Sequence, residues 1–239
     1  MSEPVTELLF QRDAYEREFD ATVVAADGMR VALDRTAFYP TGGGQPHDTG
    51  ALTAGERRWR VEAVKREGRL VWHTLDADAP EVGTEVQGAV DWERRHALMR
   101  THTALHILCG VIWRDYGAKV TGGNMEPGRA RMDFEFENMR AELVKEIEDK
   151  VNKEISAARP ISVEFLERDA ADKDPDLIRT KINLLPKDIG EVRVVTIDGL
   201  DRQADGGTHV ASTDEVGKFR ITNYKSKGRA NKRVEIEVS

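Results

Sequence analysis

Three of the chain's histidines stand where they can do metal chemistry. His102 and His106 lie in RTHTALHIL, a stretch whose apolar residues have helical spacing. Four positions apart on a helix, they project from one face on adjacent turns. Two imidazoles placed like this reach one metal ion at about 2.0–2.1 Å each. Alone, such a pair is weak evidence. The third histidine lies in QADGGTHV, where Asp205 and His209 are again four apart, but Gly206 and Gly207 forbid a helix. A tight turn swings both side chains toward one point, because glycine accepts backbone angles that other residues refuse. Read by itself, the Asp-Gly pair is a hairpin signal between EVRVVTI and THVAS. Taken together, three imidazoles and a carboxylate are a donor set of the kind zinc takes. Asp205 is either the fourth ligand or a hydrogen-bond partner beside a three-histidine site with an open position. Cys109 follows on the same helix, but the rise from residue 102 is about 10 Å, and it reads as core. Thr103 reads as turned away from the metal side.

These side chains need a scaffold. From Glu93 to about Tyr116 the spacing predicts one helix, with Asp91 as its cap. RARMDFEF alternates as a strand. MRAELVKEIEDKVNKEISAA places Leu143, Ile147, Val151 and Ile155 on one face, so it packs on a sheet, and Pro160 ends it. Further strands are expected at ISVEFL, EVRVVTI, KFRITNY and KRVEIEV, with a short helix around Pro175 to Thr180 in an otherwise polar stretch. Residues 1–90 read as β, with strands at ATVVAA, MRVALD, RWRVEAVKR, RLVWHTL and TEVQGAV at the spacing of a small barrel. The loop FYPTGGGQP, with Gly42, Gly43 and Gly44, interrupts them. The expected fold class is α+β: a small N-terminal β-barrel over 1–90, then an α+β domain over 91–239 with helices packed on an antiparallel sheet.

Composition narrows the function classes. Apolar residues are 39% and charged residues 33% of the chain, the mix of a globular protein. No apolar run approaches the length of a membrane-spanning helix, and no basic start precedes an apolar stretch. One cysteine excludes an intrachain disulfide, so a cytoplasmic location is expected. The net charge of −7 argues against indiscriminate nucleic-acid binding. Lys218 to Ser239 nevertheless carries seven Lys or Arg against two Glu, enough for one basic face.

RTHTALHIL with QADGGTHV resembles the paired metal motifs of the alanyl-tRNA synthetase editing domain, and more closely those of the free-standing AlaX proteins. FYPTGGGQPHDTG resembles the glycine-rich motif of the longer AlaX form, carried on an N-terminal β-barrel. TGGNMEPGRARMDFEF and GKFRITNYKSKGRANKRVEIEV resemble the strands after each half of the metal site. The resemblance covers roughly residues 35–50 and 95–239. It implies a zinc-dependent deacylase that hydrolyses Ser-tRNA(Ala), and in some members Gly-tRNA(Ala), while sparing Ala-tRNA(Ala). It implies one zinc held by His102, His106 and His209, with Asp205 at the place of the fourth ligand. Thr121 would lie near the substrate, and Gln45 would reach it from the glycine loop. Lys225, Lys227, Arg229, Lys232 and Arg233 would contact acceptor-stem phosphates. The partner is then the acceptor end of tRNA(Ala), with no membrane and no obligatory protein partner. One departure is visible: the family turn reads C-G-G-T-H, and Asp205 stands in place of the cysteine. Two rival readings are a threonyl-type editing domain acting on Ser-tRNA(Thr), and a non-catalytic module that binds tRNA or zinc.

Overall fold

The computed structural model describes residues 4–136, 139–178, 190–228 and 230–239. The chain divides into two compact units, one up to His96 and one from Ala97 onward.

The first unit is built from β1 (Glu7–Leu8), β2 (Glu18–Asp27), β3 (Arg30–Leu33), β4 (Arg35–Thr36), β5 (Gly50–Ala54), β6 (Arg57–Glu67), β7 (Leu70–Leu75) and β8 (Glu85–Val90). Strands β2-β3-β7-β6-β5-β8 close into an antiparallel barrel, while β1 pairs with β4 in parallel. Closure leaves no unpaired edge among the six barrel strands. Alternation sends Trp59 and Val61 of β6 inward, and a register shift between Val61 and Ala63 brings in Val64 rather than Ala63. These residues pack with Phe19, Phe38, Leu52 and Leu75 in one core. Strand β5 was not apparent from GALTA, whose small residues carry little β signal. In the glycine loop, Gly42 and Gln45 exchange backbone hydrogen bonds at 2.9 and 3.1 Å around Gly43 and Gly44. Both central glycines have positive φ (55° and 86°), the pattern of a two-residue turn that suits glycine.

Helix α1 (Trp92–Tyr116) starts in the first unit and runs into the second. Asp91 Oδ1 accepts the Arg94 N–H at 3.2 Å and caps it, as the sequence predicts. In the second unit follow β9 (Val120–Glu126), β10 (Arg129–Phe134), α2 (Ala141–Ser156), β11 (Ile161–Glu167), α3 (Arg168–Ala171), β12 (Glu191–Ile197), β13 (Asp201–Ala204), β14 (Phe219–Gly228) and β15 (Asn231–Val238). They form a four-stranded sheet, β14-β15-β10-β9, and a three-stranded sheet, β11-β12-β13. Every pairing in both is antiparallel.

Helix α2 packs on β14 and buries Val144, Ile147, Val151 and Ile155. Val144 rather than Leu143 heads that stripe; Leu143 is half-buried. Each fully buried Val or Ile contributes about 1.5–3 kcal/mol. Asn152 registers the helix by donating to Phe219 O and accepting the Phe219 N–H, at 3.0 and 3.2 Å. Two strands escape the periodicity reading: VTGGNME (β9), which only the resemblance marked as strand because its glycines break alternation, and DRQA (β13), which is too short to show it. The short helix expected from Pro175 is a single 3-10 turn, Pro175–Leu177, and Thr180 lies outside the described residues. Among the described residues, no helix is long and apolar enough to cross a membrane.

Candidate metal centre

His102 and His106 sit on α1 in the second unit, and both are buried. Buried apolar residues flank them on the helix, including Leu105, Ile107 and Leu108. The 198–200 connection between β12 and β13 reaches this helix at Gly110. A Cβ there would meet Leu200 O and the Asp201 Cβ at 3.1 Å, so glycine lets the hairpin approach closely enough to seat Asp201. Beyond β13 the chain makes an irregular turn through Gly206 and Gly207 to His209.

Here the structure corrects the sequence reading twice. THVAS is not a strand, so the hairpin partner of EVRVVTI is DRQA, before the glycines. Nor does either glycine adopt a positive φ. The turn is closed by Asp205 itself, whose Oδ2 accepts the Gly207 N–H at 2.7 Å. Arg193 of β12 clamps the same turn. Its Nη1 donates to Asp205 O and Gly207 O, each at 2.9 Å, and its guanidinium is buried.

The result is convergence. One ligand atom from each of His102, His106, Asp205 and His209 lies within 4.8 Å of every other. The His102 and His209 rings stack at 4.3 Å, and His106 meets them edge-on at 5.1 and 4.6 Å. Donors at about 2.1 Å from a tetrahedral ion stand roughly 3.4 Å apart, so small side-chain rotations would close the set. Among the described residues this is the group able to hold a metal ion.

Each imidazole also has an outer partner. His106 Nδ1 lies 3.2 Å from Asp201 Oδ2, and Gln203 Nε2 donates to the same oxygen at 2.6 Å. His209 Nδ1 lies 3.1 Å from Thr103 Oγ1, which also accepts the Val210 N–H at 3.3 Å. His102 is hydrogen-bonded to the Thr208 backbone. Holding the outer side of a ring fixes its orientation and aims its other nitrogen at a metal. Thr103 thus does not turn away, as its place beside His102 suggested. Its hydroxyl meets His209 instead.

The electrostatics suit a dication. Burial pushes His102 down to about 4, against the pull of Asp205. Burial, with His102 beside it, also holds His209 well below the usual histidine range. Burial opposes the charge of Asp205, but the His102 and His209 interactions win and hold the carboxyl well below its usual range. For His106, burial is outweighed by the hydrogen bond to Asp201, and its pKa rises. Three imidazoles and a carboxylate, one ring braced by Asp201, make a nitrogen-and-oxygen donor set that fits a divalent ion.

The remaining sequence candidates are not ligands of this group. Thr121 is exposed on β9 and donates to Asn231 Oδ1 at 3.1 Å. Gln45 is buried in the first unit, as part of the turn at Gly42, Gly43 and Gly44. Lys225 pairs with Glu235 at 2.9 Å, and Arg233 grips Asp133 through two bonds of 2.7 and 2.8 Å. Lys232 is buried and donates to Gly228 O, Lys227 is exposed, and Arg229 lies outside the described residues. Sequence reasoning missed Thr103, Asp201, Gln203 and Arg193.

Comparison with known proteins extends this picture. The family model for tRNA synthetases class II (A) matches residues 7–94, and that for the threonyl and alanyl tRNA synthetase second additional domain matches 192–235. Alanyl-tRNA editing protein AlaX-M of Saccharolobus solfataricus is 38% identical over 98% of this chain and 99% of its own length. AlaX-M of Methanosarcina acetivorans is 36% identical over 96% of this chain and 98% of its own length. Alanine–tRNA ligase of Hyperthermus butylicus is 37% identical over 93% of this chain, which spans 24% of that larger enzyme. With end-to-end similarity at this level, the chain belongs to the AlaX family of alanyl-tRNA editing proteins.

Proposed function

We propose that this chain is a trans-editing deacylase, hydrolysing the ester between serine and the 3′ end of tRNA(Ala) and sparing Ala-tRNA(Ala). The observation that carries the reading is the convergence of His102, His106, His209 and Asp205, each ring braced from outside. It occurs in a chain whose full-length relatives are named alanyl-tRNA editing proteins. Residues 91–239 act as the editing domain, and zinc is the proposed ion, one per chain. Glycine is the second substrate to be tested.

An aminoacyl ester is already reactive, so the work lies in positioning it, supplying water and stabilising the developing oxyanion. A bound zinc supplies Lewis acidity and an acidified water, or an anchor for the amino acid. The chain's own residues define what surrounds it. Asp201 holds His106 through Nδ1 and leaves Nε2 available. Thr103 does the same for His209, because its hydroxyl both donates and accepts. Arg193 keeps Asp205 and His209 in register by pinning the turn between them.

Serine exceeds alanine by one hydroxyl. A pocket built to hydrogen-bond that group leaves its own polar atoms unpaired around alanine, which discriminates by about 10⁴–10⁵-fold. Thr121 is the proposed contributor. Because Lys225 and Arg233 are ion-paired, the phosphate contact expected of Lys225, Lys227, Arg229, Lys232 and Arg233 is a weak, salt-dependent term.

A deacylation panel of Ser-, Gly- and Ala-tRNA(Ala), run with metal-loaded and stripped protein, tests the reading. Fast release from Ser-tRNA(Ala) by loaded protein alone is expected. Equal release of alanine, or none at all, refutes it. Ser-tRNA(Thr) belongs in the panel, since the family model over 192–235 describes threonyl as well as alanyl enzymes.

A further inference from the structure

Asp205 gives its two carboxylate oxygens different tasks. Oδ2 accepts the Gly207 N–H at 2.7 Å and lies 3.0 Å from His209 Nε2. Its approach to His102 is through Oδ1, 3.7 Å from Nε2. The Gly207 bond closes a turn whose carbonyls are clamped by the buried Arg193. Swinging both oxygens onto one ion would strand the Gly207 N–H. Ligation through Oδ1 alone leaves the turn intact. A thiolate at this position has a single donor atom, so ligation and any bond from the Gly207 N–H would have to share one sulfur.

Among the described residues, no thiolate joins the converging donors. Cys109, the chain's only cysteine, is buried, and Gln203 Nε2 donates to its Sγ at 3.5 Å; it is not among the converging donors. Carboxylate and imidazole donors suit zinc, cobalt and manganese, whereas thiolates favour soft ions.

We propose that Asp205 ligates the metal through Oδ1 alone while Oδ2 holds the turn, making an all nitrogen-and-oxygen centre that binds first-row dications such as zinc and cobalt without the preference for thiophilic ions that a thiolate would bring. This rests on the metal centre of the proposed function, but its test reads ligand identity and not catalysis. A failed deacylation assay would therefore remove the activity and leave this inference standing.

The experiment uses the full chain loaded with cobalt(II), compared with Asp205→Cys and Asp205→Asn. The wild type is expected to show ligand-field bands and no thiolate-to-cobalt charge-transfer band in the near ultraviolet. Asp205→Cys is expected to gain that band and to move its cadmium-to-cobalt affinity ratio toward cadmium by about tenfold or more. Asp205→Asn needs its one amide oxygen for both tasks, so its cobalt affinity is expected to fall by at least about tenfold. A charge-transfer band in the wild type overturns the proposal, as does a cobalt-loaded Asp205→Cys without one. If circular dichroism shows that Asp205→Cys does not fold, Asp205→Asn decides: affinity equal to wild type overturns the proposal, and the expected loss supports it.

Discussion

Replacing Thr103 by valine removes one oxygen and keeps the side chain's shape. The position is fully buried, so water cannot take over. Two polar groups lose their partner, His209 Nδ1 at 3.1 Å and the Val210 N–H at 3.3 Å. Stranding a buried polar group costs about 1–3 kcal/mol, so the metal-free second unit should lose roughly 2–4 kcal/mol. The effect on the site is separate. With an ion bound, His209 would offer Nε2 to it and would need an acceptor at Nδ1–H. Losing the outer partner of a metal-bound histidine typically costs about 10–100-fold in affinity. Competition against a chromophoric chelator measures this loss, and denaturant unfolding of stripped protein measures the first. Thr103→Ser, which keeps the oxygen, should recover most of both. If Thr103→Val binds zinc within about twofold of wild type, the claim that the rings are braced from outside is wrong for His209.

Other outcomes follow from the same structure. His102→Ala and His209→Ala should each abolish stoichiometric metal content and most deacylation; full activity in either refutes the site. Thr121→Val should relax discrimination between Ser- and Ala-tRNA(Ala), and an unchanged ratio removes Thr121 from the substrate pocket. In the barrel, His73 is fully buried between Thr36 and the Val31 carbonyl, and burial lowers its pKa to about 4. It is neutral when folded and protonates near 6.5 when unfolded, so its contribution is intact above that value and is lost as pH falls toward about 4. Between pH 7 and pH 5 the loss is about 2 kcal/mol. His73→Gln should flatten that part of the denaturation profile, and an identical pH slope in the variant would contradict the assignment.

Much of this architecture was legible because it rests on periodicity. Helix α1 announces itself through Leu98, Leu105 and Leu108 with Asp91 as cap, and the His102–His106 pair rides on it. Strands β7 and β8 alternate cleanly, while β2 and β6 carry register shifts. What stayed hidden lies in tertiary approach. Thr103 is one step round the helix from His102, and nothing local reveals that His209 arrives there. Asp201 and Gln203 occupy a strand too short to show a period, and their purpose depends on Gly110 admitting the hairpin. Arg193 reads as one polar residue in an apolar strand, but its guanidinium holds the turn two strand positions beyond its backbone partner. The glycines of QADGGTHV suggested a turn that depends on glycine's backbone freedom, yet the Asp205 carboxylate closes it with no positive φ at either glycine.

The most direct test of the account is single-turnover deacylation of Ser-tRNA(Ala) by one preparation of the full chain that is zinc-loaded, stripped and reloaded. Ala-tRNA(Ala) serves as the control at each stage. The account predicts rapid release of serine, its loss on stripping in step with metal content, and its return on reloading, with alanine retained throughout. Serine release that persists at full rate in protein shown to contain no metal would contradict it.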